Sequence, residues 1–317
     1  MVSDTARVWF ITGASTGLGL ALTRSVLARG DHIIATARSL KSFDELRQDP
    51  KFDGTRLRFL TLDVTSPMVE IKQRVDEALA IWGRIDVVVN NAGRITYGLS
   101  EELGCALYLT TPIAWEVNIG IRVRSAEGIM NDVNTNFVGP INVTNAVLPS
   151  MRARRDGTIV FIGSRSTYRT QIAGIVSYSA SKAALHSYAE TLSKELEHFN
   201  IRVTIAVPGS FATKFNAPIR SGTPLAGYEA LRDHLDKFVQ NYAKIPMGDP
   251  DLGMSALVDV VRGEGRAANH GPPPLWLFLG EDSMRDVRLR TQVLQSTLEE
   301  WKEVGSNLGL PQEQTPA

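Results

Sequence analysis

The chain has 317 residues, with 34 Lys plus Arg against 34 Asp plus Glu, and 43% of its residues are hydrophobic. Charge that is balanced and interleaved from end to end argues against a nucleic-acid binder or a long disordered tail, while the apolar fraction suffices for a sizeable core. Cys105 is the only cysteine and the five histidines show no i, i+4 pairing, so neither a disulfide framework nor a structural metal is expected.

The first apolar run is preceded by six residues including Asp4 and is followed by Gly13 and Gly17, which predicts neither a secretory leader nor a membrane span. A soluble protein of a reducing, cytoplasmic compartment is the expectation. Seven short runs rich in Val, Ile and Leu then recur along the chain: Arg7–Thr12, His32–Ala37, Arg56–Leu62, Ile85–Asn90, Thr158–Gly163, Arg202–Val207 and Leu275–Leu279. Being nearly continuous rather than alternating, they read as strands buried on both faces. Between them, Gly19–Arg29, Met68–Ile81, Ile141–Arg154 and Ser179–Phe199 place apolar residues at threes and fours, as amphipathic helices do. The alternation predicts a doubly wound α/β fold with a mostly parallel sheet of seven strands.

Two stretches depart from this rhythm, residues 94–130 and residues 211–245, each longer than the usual connection of about 2–6 residues. Both follow the C-terminal ends of strands, where open α/β sheets bind ligands, and the second reads as a substrate lid carrying a helix, "EALRDHLDKFVQNY". Its apolar residues Phe211, Phe215, Ala217, Pro218, Ile219 and Leu225 suggest a lipophilic substrate. One unit, residues 1–282, is followed by an amphipathic helix over Ser283–Val304 and a frayed tail within 283–317.

The first strand runs into "TGASTGLG", which sets Gly13, Gly17 and Gly19 on a strand-to-helix turn. Without Cβ atoms such a turn lets backbone N–H groups and a helix N-terminus approach a pyrophosphate. The end of the second strand selects the cofactor. An acidic residue about 20 positions past the glycines would bind a ribose 2′-hydroxyl; here that place holds Ala37, and Arg38 beside it can grip a 2′-phosphate bidentately, which predicts NADP(H). Further on, "YSASK" puts Tyr178 and Lys182 on one face of a helix start, where an ammonium would lower the phenol's pKa from its ordinary value near 10 and ease proton transfer.

These blocks, with "LDV" at Leu62–Val64, "NNAG" at Asn90–Gly93 and "PGSFAT" at Pro208–Thr213, resemble in type and order the short-chain dehydrogenases/reductases of the Tyr-x-x-x-Lys kind. The resemblance covers nearly the whole chain and implies a Rossmann-type fold. The segments "PLWLFLGEDSMRDVR" and "LEEWKEV" most resemble the branch that looks like 17β-hydroxysteroid dehydrogenases, whose chemistry, not steroid specificity, is carried over.

The resemblance implies hydride transfer between NADP(H) and a ketone or secondary alcohol, with Tyr178 as proton donor in reduction and Lys182 on the nicotinamide ribose. Ser164, closing the fifth strand, would hydrogen-bond the substrate carbonyl. It stands fourteen residues before Tyr178, one more than the family spacing, and Ser166 competes for the role. Asn136 in "NTNFVGP" matches the helix asparagine that holds a relay water. Cofactor contacts are implied for Thr12, Gly13, Ser15, Gly17, Leu18, Gly19, Arg38, Asp63, Val64, Asn91, Ala92, Gly93, Tyr178, Lys182, Pro208, Gly209, Phe211 and Thr213. No metal, nucleic acid or membrane enters this reading; the partner is a small carbonyl or alcohol, with homo-oligomers common in the family. The alternative is an NADP(H)-binding regulator that keeps the fold without turnover.

One departure from the family remains. Asn136 stands 43 positions after Gly93, and removing Cys105–Arg124 would restore an ordinary loop and helix. That segment has few charges and no helical period, and it reads as a substrate flap, a neutral surface insertion or untrimmed sequence from a wrong gene model.

Overall fold

Val and Ile dominate the segments that must lie in a sheet covered on both sides, and these are where the strands form. The structure, a computed structural model, describes residues 6–48, 54–103, 105–110, 120–125, 127–213, 219–220, 224–242 and 245–309. In chain order the elements are β1 (Val8–Ile11), α1 (Gly17–Ala28), β2 (His32–Ala37), α2 (Asp44–Gln48), β3 (Leu57–Thr61), α3 (Met68–Trp82), β4 (Val87–Asn90), β5 (Thr96–Tyr97), β6 (Cys105–Thr110) and β7 (Gly120–Ser125). They continue with α4 (Glu127–Val133), α5 (Gly139–Arg154), β8 (Gly157–Ile162), α6 (Val176–Leu196), β9 (Ile201–Pro208), β10 (Ile219–Arg220), α7 (Glu229–Tyr242), α8 (Pro250–Arg262), β11 (Trp276–Leu279), α9 (Glu281–Glu300) and α10 (Lys302–Gly305).

Among the described residues seven strands form one parallel sheet in the order β11-β9-β8-β4-β1-β2-β3. The chain winds outward from β1 to β3, then returns to the other side of β1 with β4. The crevice at that reversal, beyond the C-terminal strand ends, is where such sheets receive ligands.

Strand pleating sorts the core. Val8 and Phe10 face one layer with Ile71 and Val75 of α3, Val147 of α5 and Leu185 of α6, whereas Trp9 and Ile11 face the other with Leu22 and Val26 of α1 and Leu257 of α8. A polar anchor also ties the sheet to the layer of α1 and α8. Asp31, fully buried, accepts from the Arg7 backbone N–H at 3.0 Å, from Trp9 Nε1 at 2.8 Å and from Arg262 Nη1 at 2.5 Å, which fastens β1 to the end of α8.

All seven strands stand within two residues of their expected bounds. Helix α8 was not among the expected helices, although its signals are all present: Asp249 accepts from the N–H groups of Asp251 and Leu252, Pro250 opens the helix, and Gly263 closes it with φ +69°. Met254, Leu257, Val258 and Val261 also recur at threes and fours, so the helical period is present as well. The expected C-terminal helix is split at Trp301.

The segment without helical period is an antiparallel hairpin, β6 with β7, in register Cys105↔Ser125 through Thr110↔Gly120. It leaves and re-enters the fold at adjacent points. The side chains of Leu107, Tyr108 and Leu109, together with Ile113 and Trp115, lie outside the described residues, as do Phe215, Ala217 and Pro218 of the lid and residues 311–317 of the tail.

Candidate active site

The crevice begins at the turn between β1 and α1. Gly13 holds φ +63°, and a Cβ there would stand 2.9 Å from the Ala92 Cα, so the turn and the segment after β4 touch backbone to backbone. The hydroxyl of Thr12 accepts the N–H groups of Asn91 and Ala92, each at 3.0 Å, and Asn91 Nδ2 donates to the carbonyls of Thr12 and Gly13 at 2.8 and 2.9 Å. The first turn of α1 contains no acidic residue, and Thr16 makes no side-chain cap. Its N-terminal N–H groups are therefore available to an anion.

From this turn a cavity of about 860 Å³ runs along the strand ends. Ser15, Gly17 and Leu18 line it at the turn itself, Arg38, Asp63 and Val64 after β2 and β3, Asn91, Ala92 and Gly93 after β4, and Pro208, Gly209, Phe211 and Thr213 at and beyond the end of β9. Gly13, Tyr178, Lys182 and Ser164 line it as well. Thr12 and Gly19 do not reach it; they brace the turn from beneath. The shape, the glycine cradle and the free helix N-terminus fit a dinucleotide.

At the deep end Tyr178 and Lys182 sit in the first two turns of α6, both buried. Lys182 Nζ donates to the Ile162 carbonyl at 2.8 Å. Burial lowers its pKa to about 8. For Tyr178, burial outweighs the opposing hydrogen bond with Ser164 and raises the phenol to about 12. The expected lowering by Lys182 is thus not the controlling influence here, because the phenol is desolvated and the ammonium is turned to the Ile162 carbonyl. A phenol so raised stays protonated at neutral pH, the state a proton donor needs.

The hydroxyl of Ser164 reaches Tyr178, whereas the Ser166 hydroxyl is buried without a hydrogen-bond partner among the described residues. Asn136 lies outside the cavity lining, on a π-helical turn (Asn134–Val138) between α4 and α5. It accepts from the Arg94 N–H at 2.9 Å and donates to the Arg94 carbonyl at 2.9 Å and to Ser181 Oγ at 3.0 Å. It thereby joins the segment after β4 to α6 from behind. A π turn is a frequent local device at functional sites.

Three supports escaped the sequence reading. His186, one turn past Lys182, accepts from the Ser164 N–H through Nε2 at 3.2 Å, while its Nδ1 meets Thr167 Oγ1 at 3.3 Å. Thr167 Oγ1 in turn donates to the Ser164 carbonyl at 3.0 Å, closing a ring around Ser164. Gly163 leaves the space this ring occupies, since a Cβ there would collide with the imidazole. Burial and the nearby Lys182 charge depress His186 to about 3. Arg165 pairs with Asp286 at 2.6 Å and donates to Ser210 Oγ at 2.8 Å, so α9 and the loop after β9 are locked beside Ser164. Asp132, fully buried, accepts from Thr96 and from Ser177 Oγ at 2.7 Å. Only the i, i+4 spacing of Lys182 and His186 was visible beforehand.

A parallel sheet with a glycine phosphate turn at its reversal and a buried Tyr, Lys and Ser at the same strand ends defines a dinucleotide-dependent oxidoreductase of Rossmann type. The short chain dehydrogenase family profile matches residues 7–224. The chain is 32% identical over 242 residues to a 3-ketodihydrosphingosine reductase of Bacteroides thetaiotaomicron, covering 74% of each. A short-chain dehydrogenase structure from Streptomyces avermitilis superimposes with TM-score 0.76 at 31% identity, over 97% of this chain and 100% of that one. A variant actinorhodin polyketide ketoreductase solved with NADPH gives 0.66 at 25% identity, over 88% and 97%. The chain belongs to the short-chain dehydrogenase/reductase family and is an oxidoreductase acting on carbonyl or alcohol groups. That family uses NAD(P). No helix among the described residues is long and apolar enough to cross a membrane.

Proposed function

We propose that the protein is an NADPH-dependent carbonyl reductase acting on a lipophilic ketone, or on the corresponding secondary alcohol in reverse. The observation that carries this reading is the meeting of Tyr178, Lys182 and Ser164 with the glycine turn and Arg38 in one cavity. Bound NADPH would supply the hydride. Tyr178 donates a proton to the carbonyl oxygen, Ser164 holds that oxygen within reach of the phenol, and Lys182 orients the ribose and carries positive charge beside the developing oxyanion. Asn136 acts from behind, fixing the backbone at Arg94 against Ser181.

Preference for the phosphorylated dinucleotide rests on Arg38, which lines the cavity and has no side-chain partner among the described residues, and on Ala37, which offers no carboxylate to repel a 2′-phosphate. Support for ketone reduction comes from the relatives named above, a ketodihydrosphingosine reductase and a polyketide ketoreductase. The resemblance of residues 274–288 and 298–304 to the 17β-hydroxysteroid dehydrogenase branch bears on chemistry, and no steroid is proposed as substrate. Oxidation of NADPH and NADH by a panel of medium-chain and cyclic ketones tests the proposal. Turnover faster with NADPH is expected; binding of the cofactor with no turnover of any ketone would favour the regulatory alternative.

A further inference from the structure

Three arginines line the catalytic half of the cavity, and two of them are neutralised. Arg94 Nε stands 3.1 Å from the buried Asp132, and Arg165 Nη1 stands 2.6 Å from Asp286. Arg169 is different. It is half-buried, its backbone N–H is fixed to the Arg165 carbonyl at 2.9 Å, and its side chain has neither a hydrogen bond nor an ion pair among the described residues. Among the described lining residues the one carboxylate is Asp63, in the turn after β3 at the opposite side of the sheet. An arginine that lines a partly enclosed cavity without a counter-ion attracts an anion supplied from outside.

The surface around Tyr178 supplies the second observation. Strand β10 pairs in parallel with β5, setting Ile219 beside Thr96 and Arg220 beside Tyr97, and Tyr97 lines the cavity. Ile95, Tyr97, Ile172, Ile175 and Phe238 line the cavity with apolar surface. The catalytic half therefore offers apolar surface beside Arg169, whose charge no described residue balances.

We infer that the substrate is an amphiphile, a ketone or secondary alcohol with an apolar body and an oxyacid head, carboxylate or phosphate, that binds Arg169. This rests on the carbonyl-reductase reading and narrows its substrate class. Arg169 is a specificity residue and takes no part in proton or hydride transfer. Its planar fork would hold either head bidentately, with the apolar chain lying between it and Tyr178.

Competition binding to the full-length protein saturated with NADP⁺, which occupies the Arg38 end, tests this without turnover. The probes are decanoate, decyl phosphate and 1-decanol. The wild type should bind one or both anions about ten- to a hundredfold more tightly than the alcohol, as loss of a charge-assisted pair implies. In Arg169→Ala the three should converge, and Arg169→Lys should restore part of the gap; the tighter of the two anions identifies the head. Equal binding of all three to the wild type, or a preference that survives Arg169→Ala, would overturn the inference. In parallel, 9-oxodecanoate and its methyl ester are compared as substrates with NADPH. A higher kcat/KM for the free acid that falls towards the ester's value in Arg169→Ala supports the inference, and an unchanged ratio opposes it. Reduction of neither compound would count against the carbonyl-reductase reading, while the binding experiment still decides the role of Arg169.

Discussion

Arg38 and Ala37 stand together at the end of β2, and the proposed preference for NADPH rests on that pair. Replacing Arg38 by Ala should weaken NADPH by about 1.5–3 kcal/mol and leave NADH nearly unaffected, while Ala37→Asp should move the preference towards NADH. The ratio of kcat/KM for the two cofactors measures both, and a ratio unchanged in Arg38→Ala would remove the basis for NADPH preference. His186 makes a separate prediction. Its folded pKa, about 3, lies below the unfolded value of 6.5, so the neutral ring is favoured on folding. Stability from this group is fully present above pH 6.5 and is lost as pH falls towards 3, because the unfolded chain takes up the proton first. Urea midpoints measured between these limits should fall more steeply for the wild type than for His186→Gln; parallel slopes would contradict the buried neutral ring. Tyr178 and Lys182 were legible in the sequence because one helix carries both. The ring through Ser164, Thr167 and His186 was not, since it depends on how the turn after β8 meets α6, and Arg165 finds Asp286 across 121 residues.

At the scale of elements, parallel strands were legible because burial on both faces writes an unbroken apolar run. Helix α8 carried an N-cap, a first-turn proline, a C-terminal glycine and apolar residues at threes and fours, and it too was legible. Its attachment through Asp31 can be tested directly. Asp31→Ala leaves the Trp9 indole N–H and the Arg7 N–H unpaired and Arg262 with Glu264 alone, and buried donors left unsatisfied cost about 1–3 kcal/mol each. A loss below about 1 kcal/mol in urea unfolding would show that water replaces the carboxylate. The β6–β7 hairpin offers the opposite case. Its outermost described pair, Cys105 and Ser125, sits side by side, so excising Cys105–Arg124 asks little of the flanking backbone, and loop length itself is cheap at about 0.6 kcal/mol per doubling. The shortened protein should fold and bind NADPH. Retained folding with lost turnover would mark the hairpin as a substrate flap, and failure to fold would place it in the core.

Across the whole molecule, the reversal of strand order between β1 and β4 brings the glycine turn, the segment after β4 and the start of α6 to one crevice. Supports then converge on it from distant parts of the chain: α9 through Asp286 and Arg165, α4 through Asp132 and Ser177, and the π turn through Asn136. The order of the family's blocks was readable from sequence, and so was the fold; the supports were not, because each joins residues that only the winding of the sheet makes neighbours. The reading depends most on Tyr178 as the proton donor of a reductase. The measurement that tests this most directly is NADPH affinity and ketone-dependent NADPH oxidation, taken side by side for the wild type and Tyr178→Phe. The variant should bind NADPH within about twofold of the wild type and lose on the order of 10²–10⁴ in kcat, the usual worth of a positioned general acid. A Tyr178→Phe protein that turns over ketone at the wild-type rate would contradict the account.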